Sequence, residues 1–366
     1  MADDPQPITA AATSHPRVLL VVDDESLDRF GVIAKYMVVG LADSAVRVTV
    51  LARTRNPPAA LELGPCDAIH DPPSRWWARN RVPAQLRELA GEARIDIVHC
   101  LSTDLAEWAT RRPELARFPL AAHISDVVDL GRWQLIGSVR PRIWALPATP
   151  TLFRGVLDAH RVPVRRVKLV RLGVLGQKGT PVFAEEGYTP SAVAVTRLDS
   201  HCGLDCVLRA MRGVLDDGRE TVLFVIGKGP AERRLRRVVR ELQLQGSVIF
   251  VGTLSQWLPA MLGCDMMLVP APPTRWSCLV LHAMAAGRVI LATRENQEDY
   301  LLHDQTACLF QAGSAEDLQR QWERLLAEPH TARQLAANAQ QFVKTHNSLS
   351  VMVEALIELY GEMMAK

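Results

Sequence analysis

The sequence lacks both an excess of charge of one sign and long apolar runs. Its 366 residues contain 42 Lys and Arg against 40 Asp and Glu, which leaves a formal net charge of +2. A charge so near zero does not indicate a nucleic-acid-binding protein, since such proteins usually carry a strongly basic surface. No apolar run approaches the roughly 20 residues that a membrane-spanning helix needs. We therefore expect no nucleic-acid partner and no membrane-spanning segment.

Signals for metal binding, disulfides and secretion are also missing. The seven cysteines never stand in the C-x-x-C spacing of zinc and redox sites, and the closest two, Cys202 and Cys206, are four positions apart. The acidic and polar N-terminus has neither the basic nor the apolar region of a signal peptide. These absences predict a reduced, cytoplasmic protein with no bound metal or cofactor, in which residues 1–16 form a disordered lead-in.

The sequence does contain an alternation of short apolar runs with longer amphipathic stretches. It begins near Arg17 and predicts βαβ units that build parallel sheets. The predicted strands are 18–22, 46–51, 95–99, 120–124 and 167–170 in the first half, and 193–195, 221–226, 248–251, 266–269, 289–292 and 308–310 in the second. Three helical patterns, 315–326, 331–344 and 348–364, close the chain.

A stretch rich in Gly and Pro, 173–191, interrupts this alternation and divides the chain. A chain of this length is expected to form two domains. The predicted fold class is α/β, with two Rossmann-like doubly wound parallel sheets facing a cleft. In such sheets ligands bind outside the carboxyl ends of the strands, so the cleft is the expected site. The predicted divisions are 17–178 for the N-terminal domain, 179–191 for a linker, 192–345 for the C-terminal domain and 346–366 for a C-terminal helix.

Seven segments carry a family pattern in order along the chain. Those in the second half are AVTRLDSHCGLDCVLRAM (194–211), LFVIGKGPAERRLRRVVREL (223–242), VIFVGTLSQWLPAMLGCDMMLVPA (248–271) and LVLHAMAAGRVILAT (279–293). Those in the first half are DIVHC (96–100), FPLAAHISD (118–126) and RLGV (171–174). Together they resemble the retaining GT-B glycosyltransferases of family 4, or group 1. The resemblance implies transfer of a sugar from a nucleotide-diphospho-sugar to an acceptor hydroxyl, without a metal.

The resemblance places the donor diphosphate at the turn after the first strand of the C-terminal domain. Arg197 stands at the position of the family's phosphate-binding Arg, although a surface pair with Asp199 is the alternative. The family's Lys position is Cys202, which cannot carry positive charge. Lys228 projects from a neighbouring turn and can replace that Lys. Arg197 and Lys228 are therefore predicted as catalytic, because positive charge stabilises a departing nucleotide.

Glycine-containing turns supply further expected contacts with the donor. Gly227 and Gly229 form a tight turn where glycine permits close backbone approach, and an ordinary strand-to-helix turn is the alternative. By resemblance, Gly252 and Leu254 bound the segment that holds the base, and Gly31 is what remains of a Gly-Gly loop after the first strand. These five residues are assigned to donor binding.

The family's acidic donor-site positions are changed in this chain. Thr274 and His282 occupy the positions of two glutamates, the second of which binds the ribose. A neutral imidazole offers one acceptor, so His282 is assigned either to ribose binding or to packing. The family's Gly-Gly-x-x-Glu loop becomes Glu295 and Asn296 at the glycines, with Asp299 at the acidic position. Thr274, His282 and Asp299 complete the predicted donor-binding set.

On the acceptor side the predicted catalytic residue is Asp126. It follows an apolar strand and is expected to bind a hydroxyl or to orient a base. The family's catalytic-site His position is Ser125, whereas His123 lies two residues earlier and hence on the same strand face. His123 is either a substitute for that His or a buried structural residue.

A basic stretch lies between Gly131 and Gly173, with Asp158 as its only acid. Its nine basic residues are Arg132, Arg140, Arg142, Arg154, Arg161, Arg165, Arg166, Lys168 and Arg171. Such a stretch can contact anionic lipid headgroups or a diphosphate-linked acceptor. It predicts peripheral contact of residues 132–171 with the inner membrane face; a solvated surface is the alternative in a chain with 36 Arg and six Lys.

Two functions are consistent with these residues. The first is a hexosyl- or other glycosyltransferase with a nucleotide sugar and an unknown acceptor as partners. The second is a catalytically inactive GT-B-like binding or scaffold protein, because Cys202, Thr274 and His282 replace charged groups. A nicotinamide-dependent dehydrogenase is excluded, because no strand is followed by G-x-G-x-x-G with a downstream acid.

Overall fold

A computed structural model of the chain shows two parallel six-stranded sheets with helices packed on them. It describes residues 16–55, 63–64, 66–71, 84–92, 94–136, 142–159, 163–177, 179–183, 187–252, 257–271, 278–295 and 298–365. The predicted lead-in before residue 16 and the predicted site residues Leu254 and Thr274 lie outside these ranges. Within the described part, no helix combines the length and apolar character that crossing a membrane requires.

The N-terminal sheet has the strand order β3-β2-β1-β4-β5-β6. Its strands are β1 (Arg17–Asp23), β2 (Arg47–Arg53), β3 (Asp67–His70), β4 (Ile97–Cys100), β5 (Leu120–Ile124) and β6 (Ile143–Pro147). The helices around it are α1 (Asp24–Asp43), α2 (Ala84–Gly91), α3 (Thr103–Thr110), α4 (Pro113–Ala116), α5 (Val127–Ile136) and α6 (Pro150–Asp158). All described strand pairs are parallel, as βαβ connections require.

The C-terminal sheet repeats this architecture with the order β12-β11-β10-β7-β8-β9. Its strands are β7 (Ser191–Val195), β8 (Val222–Ile226), β9 (Val248–Val251), β10 (Met266–Val269), β11 (Val289–Thr293) and β12 (Cys308–Phe310). The helices that follow are α7 (Leu204–Asp216), α8 (Glu232–Glu241), α9 (Trp257–Gly263), α10 (Leu279–Ala285), α11 (Ala315–Ala327), α12 (Pro329–His346) and α13 (Leu349–Met364). Together the two sheets form the predicted α/β fold.

The central strands are apolar because helices cover both of their faces. In β1, Leu19 and Val21 join one hydrophobic cluster, whereas Leu20 and Val22 join another on the opposite face. All four side chains are at most 1% exposed. A strand that is buried on both sides therefore has a continuous apolar run without alternation.

Two strands differ from the sequence prediction. Residues 167–170 are not a strand, because this extended segment makes a single bridge, from Val167 to Ala145 of β6. The strand that pairs with β5 at this edge of the sheet is instead β6, which ends in Pro147 and was not predicted. The edge strand β3 was also not predicted, since Ile69 is its one buried residue.

The last helix, α13, packs on the N-terminal sheet although it follows the C-terminal domain. Its Tyr360 hydroxyl lies 2.5 Å from Nδ1 of His99 in β4. The chain passes between the halves through two adjacent segments, since Val174 N donates to Asn347 O (2.8 Å) and Leu349 N donates to Val174 O (3.1 Å). The two crossings therefore lie side by side.

Two buried charged residues fasten the start of the predicted linker to the C-terminal sheet. Asp265 accepts hydrogen bonds from Phe183 N and Ser191 N, both at 2.8 Å. Arg288 donates to Cys264 O at 2.7 Å and to the carbonyl of Thr180. Residues 180–183 are therefore attached to the C-terminal sheet rather than loose.

Candidate functional site

Arg197 and Lys228 lie together at the carboxyl ends of the neighbouring strands β7 and β8. The loops that carry them are joined by backbone hydrogen bonds from Thr196 N to Ile226 O (3.0 Å) and from Leu198 N to Lys228 O (3.1 Å). Both side chains are exposed, and neither forms an ion pair or side-chain hydrogen bond with another described residue. Within the described part of the chain, the site thus presents two positive charges without an acidic partner.

The predicted alternative for Arg197, a pair with Asp199, does not form. Asp199 Oδ1 instead accepts a hydrogen bond from His201 N at 2.9 Å. This bond keeps the carboxylate in its own turn. The Arg197 guanidinium is consequently available for an anion, whose two oxygens it can bind in a bidentate manner.

Steric contacts explain why the residues on either side of Lys228 are glycines. Gly227 has a φ of +147°, and a Cβ there would collide with the Thr196 carbonyl. A Cβ on Gly229 would collide with the Leu198 carbonyl. Both glycines therefore allow the two cation-bearing loops to touch. A Cβ on Gly252 would stand 3.4 Å from Cε of Lys228, an ordinary contact distance, so Gly252 lies beside the lysine stem.

Cys202, at the family's Lys position, is turned into the protein. It is 5% exposed, and its sulfur receives the N–H of Leu204 at the start of α7. Burial raises the pKa of this thiol above its ordinary value. Gly203 next to it has a φ of +72°, and a Cβ would collide with the Pro270 carbonyl. This turn therefore supplies no charge to the site.

Asp126, the predicted acceptor-side residue, is engaged by both carboxylate oxygens. Oδ1 accepts from Val128 N at 3.0 Å and from Asp129 N at 2.9 Å, which caps α5. Oδ2 accepts from Arg29 Nη2 at 2.6 Å. The prediction that Asp126 binds a hydroxyl or orients a base stays a prediction, since the partner that the structure shows is the Arg29 guanidinium of α1, which is not a base.

A second carboxylate, Asp129, lies beneath this pair and was not predicted from the sequence. It is fully buried and accepts a hydrogen bond from the Ser125 hydroxyl at 2.6 Å and one from the Thr103 hydroxyl at 3.2 Å. Burial raises the pKa of Asp129, and the nearby Asp126 raises it further. Ser125, at the family's His position, is thus part of a hydrogen-bonded support for the loop after β5.

Asp299 is held by an ion pair between the two halves of the molecule. Its Oδ2 lies 2.8 Å from Nη2 of Arg171, which belongs to the segment following the N-terminal sheet. The assignment of Asp299 to donor binding stays a prediction, and the structure shows that its carboxylate pairs with a cation. The sequence pattern included Arg171 only as part of the RLGV turn. No pattern indicated that Arg171 pairs with Asp299, which lies 128 residues further along the chain.

Glu298, beside Asp299, was also missed. It is half-buried and receives a hydrogen bond from the Tyr300 hydroxyl. Burial raises the pKa of Glu298 to about 7, and the charges of Asp299 and Asp126 contribute to this shift.

The predicted histidines are both buried. His282 of α10 is 2% exposed and lies edge-on to Tyr36 of α1, with ring centroids 6.0 Å apart. Burial lowers its pKa to about 4, so it is neutral at pH 7. His123 is stacked on His99 with ring centroids 4.9 Å apart, and burial lowers its pKa to about 4 as well. His123 is therefore the structural residue rather than the substitute for the family's His.

The prediction for Gly31 is wrong. Helix α1 begins at Asp24, directly after β1, so Gly31 lies within the helix and not in a strand-to-helix loop. A Cβ at Gly31 would meet nothing within 4 Å, so no close backbone approach requires a glycine. Its neighbour Phe30 is buried in the core.

Three of the nine basic residues of 132–171 have acidic partners. Arg132 pairs with Asp104, Lys168 with Glu362 and Arg171 with Asp299. Arg154 and Arg165 are exposed and have no ion pair with any residue that the structure describes, whereas Arg140 and Arg161 lie outside those residues. The contact of 132–171 with an anionic membrane stays a prediction.

In the part of the chain that the structure describes, no three His, Cys, Asp or Glu side chains come together in a way that would hold a metal ion.

The C-terminal domain is similar in sequence to a known protein family. Residues 182–342 match the family model described as "Glycosyl transferases group 1". This part of the chain, the group 1 region, is similar to the group 1 glycosyl transferases. The match includes Arg197, Lys228 and the glycine turn between β8 and α8. The cation pair therefore lies within the group 1 region.

Relatives of this group 1 region match over part of their length. The chain is 23% identical over 176 residues to alpha-D-kanosaminyltransferase from Streptomyces kanamyceticus. The aligned segment covers 47% of this chain and 46% of that protein. It is 29% identical over 167 residues to glycogen synthase from Erwinia tasmaniensis. That aligned segment covers 44% of this chain and 32% of that protein. The chain spans less than half the length of either relative.

The similarity of fold to solved structures extends over nearly the whole chain. HepE from Anabaena, in a crystal structure with UDP and glucose, has a TM-score of 0.76 at 13% identity, covering 95% of this chain and all of that chain. Sucrose-phosphate synthase from Thermosynechococcus elongatus has a TM-score of 0.71 at 16% identity, covering 96% and 100%. The two sheets of this chain therefore form a GT-B fold.

Proposed function

We propose that this protein transfers a sugar, such as a hexose, from a nucleotide-diphospho-sugar to an acceptor hydroxyl, with retention and without a metal. The observation that carries the proposal is the pair of Arg197 and Lys228 at two adjacent strand ends. The relatives named for sugar transfer and the UDP in the HepE structure support a nucleotide-sugar donor. Ligands of open α/β sheets bind at such strand ends.

The cation pair acts on the leaving group. When the bond between the sugar and the diphosphate breaks, negative charge grows on the diphosphate oxygens. Arg197 and Lys228 stabilise that charge where it develops, which lowers the barrier without a metal ion. Arg197 can hold two oxygens at once, whereas Lys228 acts as a point charge from the side of Gly252. Gly227 and Gly229 hold the two cations in one place.

The acceptor lies on the side of the N-terminal sheet in this proposal. Asp126 does not take the acceptor proton, because both of its oxygens already accept hydrogen bonds. It fixes Arg29 at the mouth of the cleft instead. In a retaining transfer the departing diphosphate accepts the proton of the acceptor hydroxyl, while Arg197 and Lys228 hold the diphosphate in place.

A cytoplasmic location with peripheral membrane contact is also proposed. Val164 is 69% exposed and precedes Arg165, at the short helical turn Val164–Arg166. An exposed apolar residue beside arginine is suited to a surface of anionic headgroups. Binding to vesicles that contain anionic lipid, and its loss in Val164→Asp, tests this contact.

A catalytically inactive binding protein is the second candidate. The burial of Cys202 at the Lys position favours it, because a glycosyltransferase of this family uses two cations at that turn. Nucleotide binding without turnover would be the result that identifies it.

Turnover decides between the two candidates. Purified protein is incubated with each common nucleotide sugar and a mixture of sugar acceptors, and the release of nucleoside diphosphate is measured. The proposal expects release above the rate of hydrolysis with at least one donor, and loss of that release in Arg197→Ala. Arg240→Ala, an exposed arginine at the other end of α8, is the matched control and should retain activity. Absence of release with every donor would exclude the enzyme.

A further inference from the structure

A cavity of about 320 Å³ lies at the amino ends of β7 and β8 in the C-terminal sheet. This volume falls in the range of about 300–1,000 Å³ that is usual for small-molecule sites. The cation pair lies at the opposite, carboxyl ends of the same two strands. Because β7 has five residues, a strand length of roughly 16 Å separates the cavity from that pair. The cavity walls include Phe183, Tyr188, Thr189, Arg219, Glu220 and Leu326.

Buried hydrogen bonds fix the backbone that forms these walls. Phe183 N donates to Asp265 Oδ1 at 2.8 Å, and Phe183 O accepts from Nη1 of Arg333 at 3.1 Å. Phe183 keeps a φ of +50° in this position, which is uncommon for a bulky residue. The Thr221 hydroxyl donates to Pro190 O at 3.0 Å. The walls are therefore held in place before any ligand binds, which lowers the cost of binding.

Tyr188 gives the cavity an aromatic surface. It is 47% exposed, and no other Phe, Trp or Tyr side chain is exposed in the part of the chain that the structure describes. Phe183 and Leu326 line the same cavity as apolar neighbours. The cavity thus offers a flat apolar face to a ligand.

A cation and an anion also line the cavity. Arg219 is half-buried and Glu220 is exposed. The Thr189 hydroxyl donates to Glu220 Oε2 at 3.3 Å, and neither charged side chain has an ion pair with another residue that the structure describes. Glu220 repels an anionic ligand, and Arg219 repels a cationic one. The cavity therefore suits a neutral ligand that donates hydrogen bonds to a carboxylate and accepts them from a guanidinium.

Neutral sugars combine these properties. The hydroxyls of a pyranose donate and accept hydrogen bonds, while the C–H groups on its ring face form an apolar surface that can lie on an aromatic ring. We propose that the cavity beside Tyr188 binds a neutral pyranose outside the cleft. Tyr188 packs against the ring face, Glu220 accepts from the sugar hydroxyls and Arg219 donates to them. The proposal goes beyond sugar transfer, and its test needs no nucleotide sugar, so either can fail while the other stands.

Saturation-transfer NMR with the full chain tests this binding directly. The probes are monosaccharides and hexasaccharides of glucose, mannose, galactose, xylose or N-acetylglucosamine, each at millimolar concentration. With at least one probe, saturation should pass from the protein to the C–H protons of the sugar ring. Binding of a monosaccharide supports a free sugar as the ligand, and binding of a hexasaccharide alone supports a unit within a saccharide chain. Absence of transfer to every probe overturns the proposal.

Substitutions show whether the sugar binds in this cavity. Tyr188→Ala should weaken sugar binding by about tenfold or more because the ring face is lost, whereas Tyr188→Phe keeps the ring and should bind as wild type. Ile249→Ala, at a position in β9 that is 43% exposed, is the matched control and should also bind as wild type. Unchanged binding in Tyr188→Ala would place the sugar elsewhere and overturn the proposal.

Two polar variants test the assigned hydrogen bonds and carry the test if Tyr188→Ala does not fold. Arg219→Gln and Glu220→Gln should each weaken sugar binding by about three- to tenfold, because a charge-assisted hydrogen bond is lost. Unchanged sugar binding in both would overturn the assignment. Inorganic phosphate is the probe for an anion site. Phosphate binding that is lost in Arg219→Gln and strengthened in Glu220→Gln, without sugar binding, would likewise overturn it.

Discussion

Arg171 and Asp299 join the two halves of the molecule through an ion pair with 2.8 Å between Nη2 and Oδ2. The Arg171 guanidinium also lies 6.0 Å from the ring centroid of Phe342 in α12. Because one partner follows the N-terminal sheet and the other follows β11, the pair contributes to the relative position of the sheets.

Loss of Arg171 should therefore destabilise the protein more than loss of an ordinary surface arginine. Arg171→Ala leaves the half-buried Asp299 without its cation, and we expect the free energy of unfolding to fall by about 1–2 kcal/mol. Urea denaturation measures this change. Arg154→Ala, at an exposed position, is the control and should stay within about 0.5 kcal/mol of wild type. Equal effects of the two substitutions would show that the ion pair adds nothing.

The stability of the protein should require a glycine at position 227 but not at position 246. Gly227→Ala places a Cβ against the Thr196 carbonyl at a φ of +147°. We expect a loss of about 2 kcal/mol or more in unfolding free energy, since an L side chain is strained there whatever the space. Gly246→Ala meets nothing within 4 Å and has no positive φ, so it is the matched control. The same midpoint of denaturation in both variants would contradict the contact between the two loops.

The buried histidines should make the protein sensitive to acid. Burial lowers the pKa of His123 to about 4, whereas it is about 6.5 in the unfolded chain. The unfolded state thus binds more protons between these values, so stability falls as pH decreases from about 6.5 to about 4. The contribution of His123 approaches about 3 kcal/mol at the acid end.

Denaturation curves at several pH values test this contribution. His123→Gln removes the titrating ring, so its unfolding free energy should decline less steeply below pH 6.5 than that of wild type. His330→Gln, at an exposed position in α12, serves as the comparison and should leave the slope unchanged. Parallel curves for wild type and His123→Gln would mean that His123 is not the buried neutral group described above.

The fold was largely predictable from local sequence, and the exceptions have physical causes. Strands such as β1 and β11 were predicted because helices cover both of their faces, which demands uninterrupted apolar runs. Strand β3 was missed because an edge position buries only Ile69. Strand β6 was missed because its run ends in Pro147 and follows a basic stretch. Residues 167–170 have a strand-like composition, but β6 already occupies the place beside β5.

The site was predictable only in part. The positions of Arg197 and Lys228 at strand ends follow from the order of strands and turns, so the sequence pointed to them. The partners of Asp126 and Asp299 are Arg29 and Arg171, which are distant in sequence, and no local pattern predicts such pairs. Gly31 was misassigned because the sequence does not show that α1 starts directly at the end of β1.

The central claim is that Arg197 and Lys228 bind the diphosphate of a nucleotide. Calorimetric titration of wild type, Arg197→Ala and Lys228→Ala tests it, with a nucleoside diphosphate and the same nucleoside without phosphates as the two ligands. Each substitution should weaken diphosphate binding by about tenfold or more, since a charge-assisted hydrogen bond is lost, and should leave nucleoside binding unchanged. Wild-type affinity for the diphosphate in both variants would contradict the account.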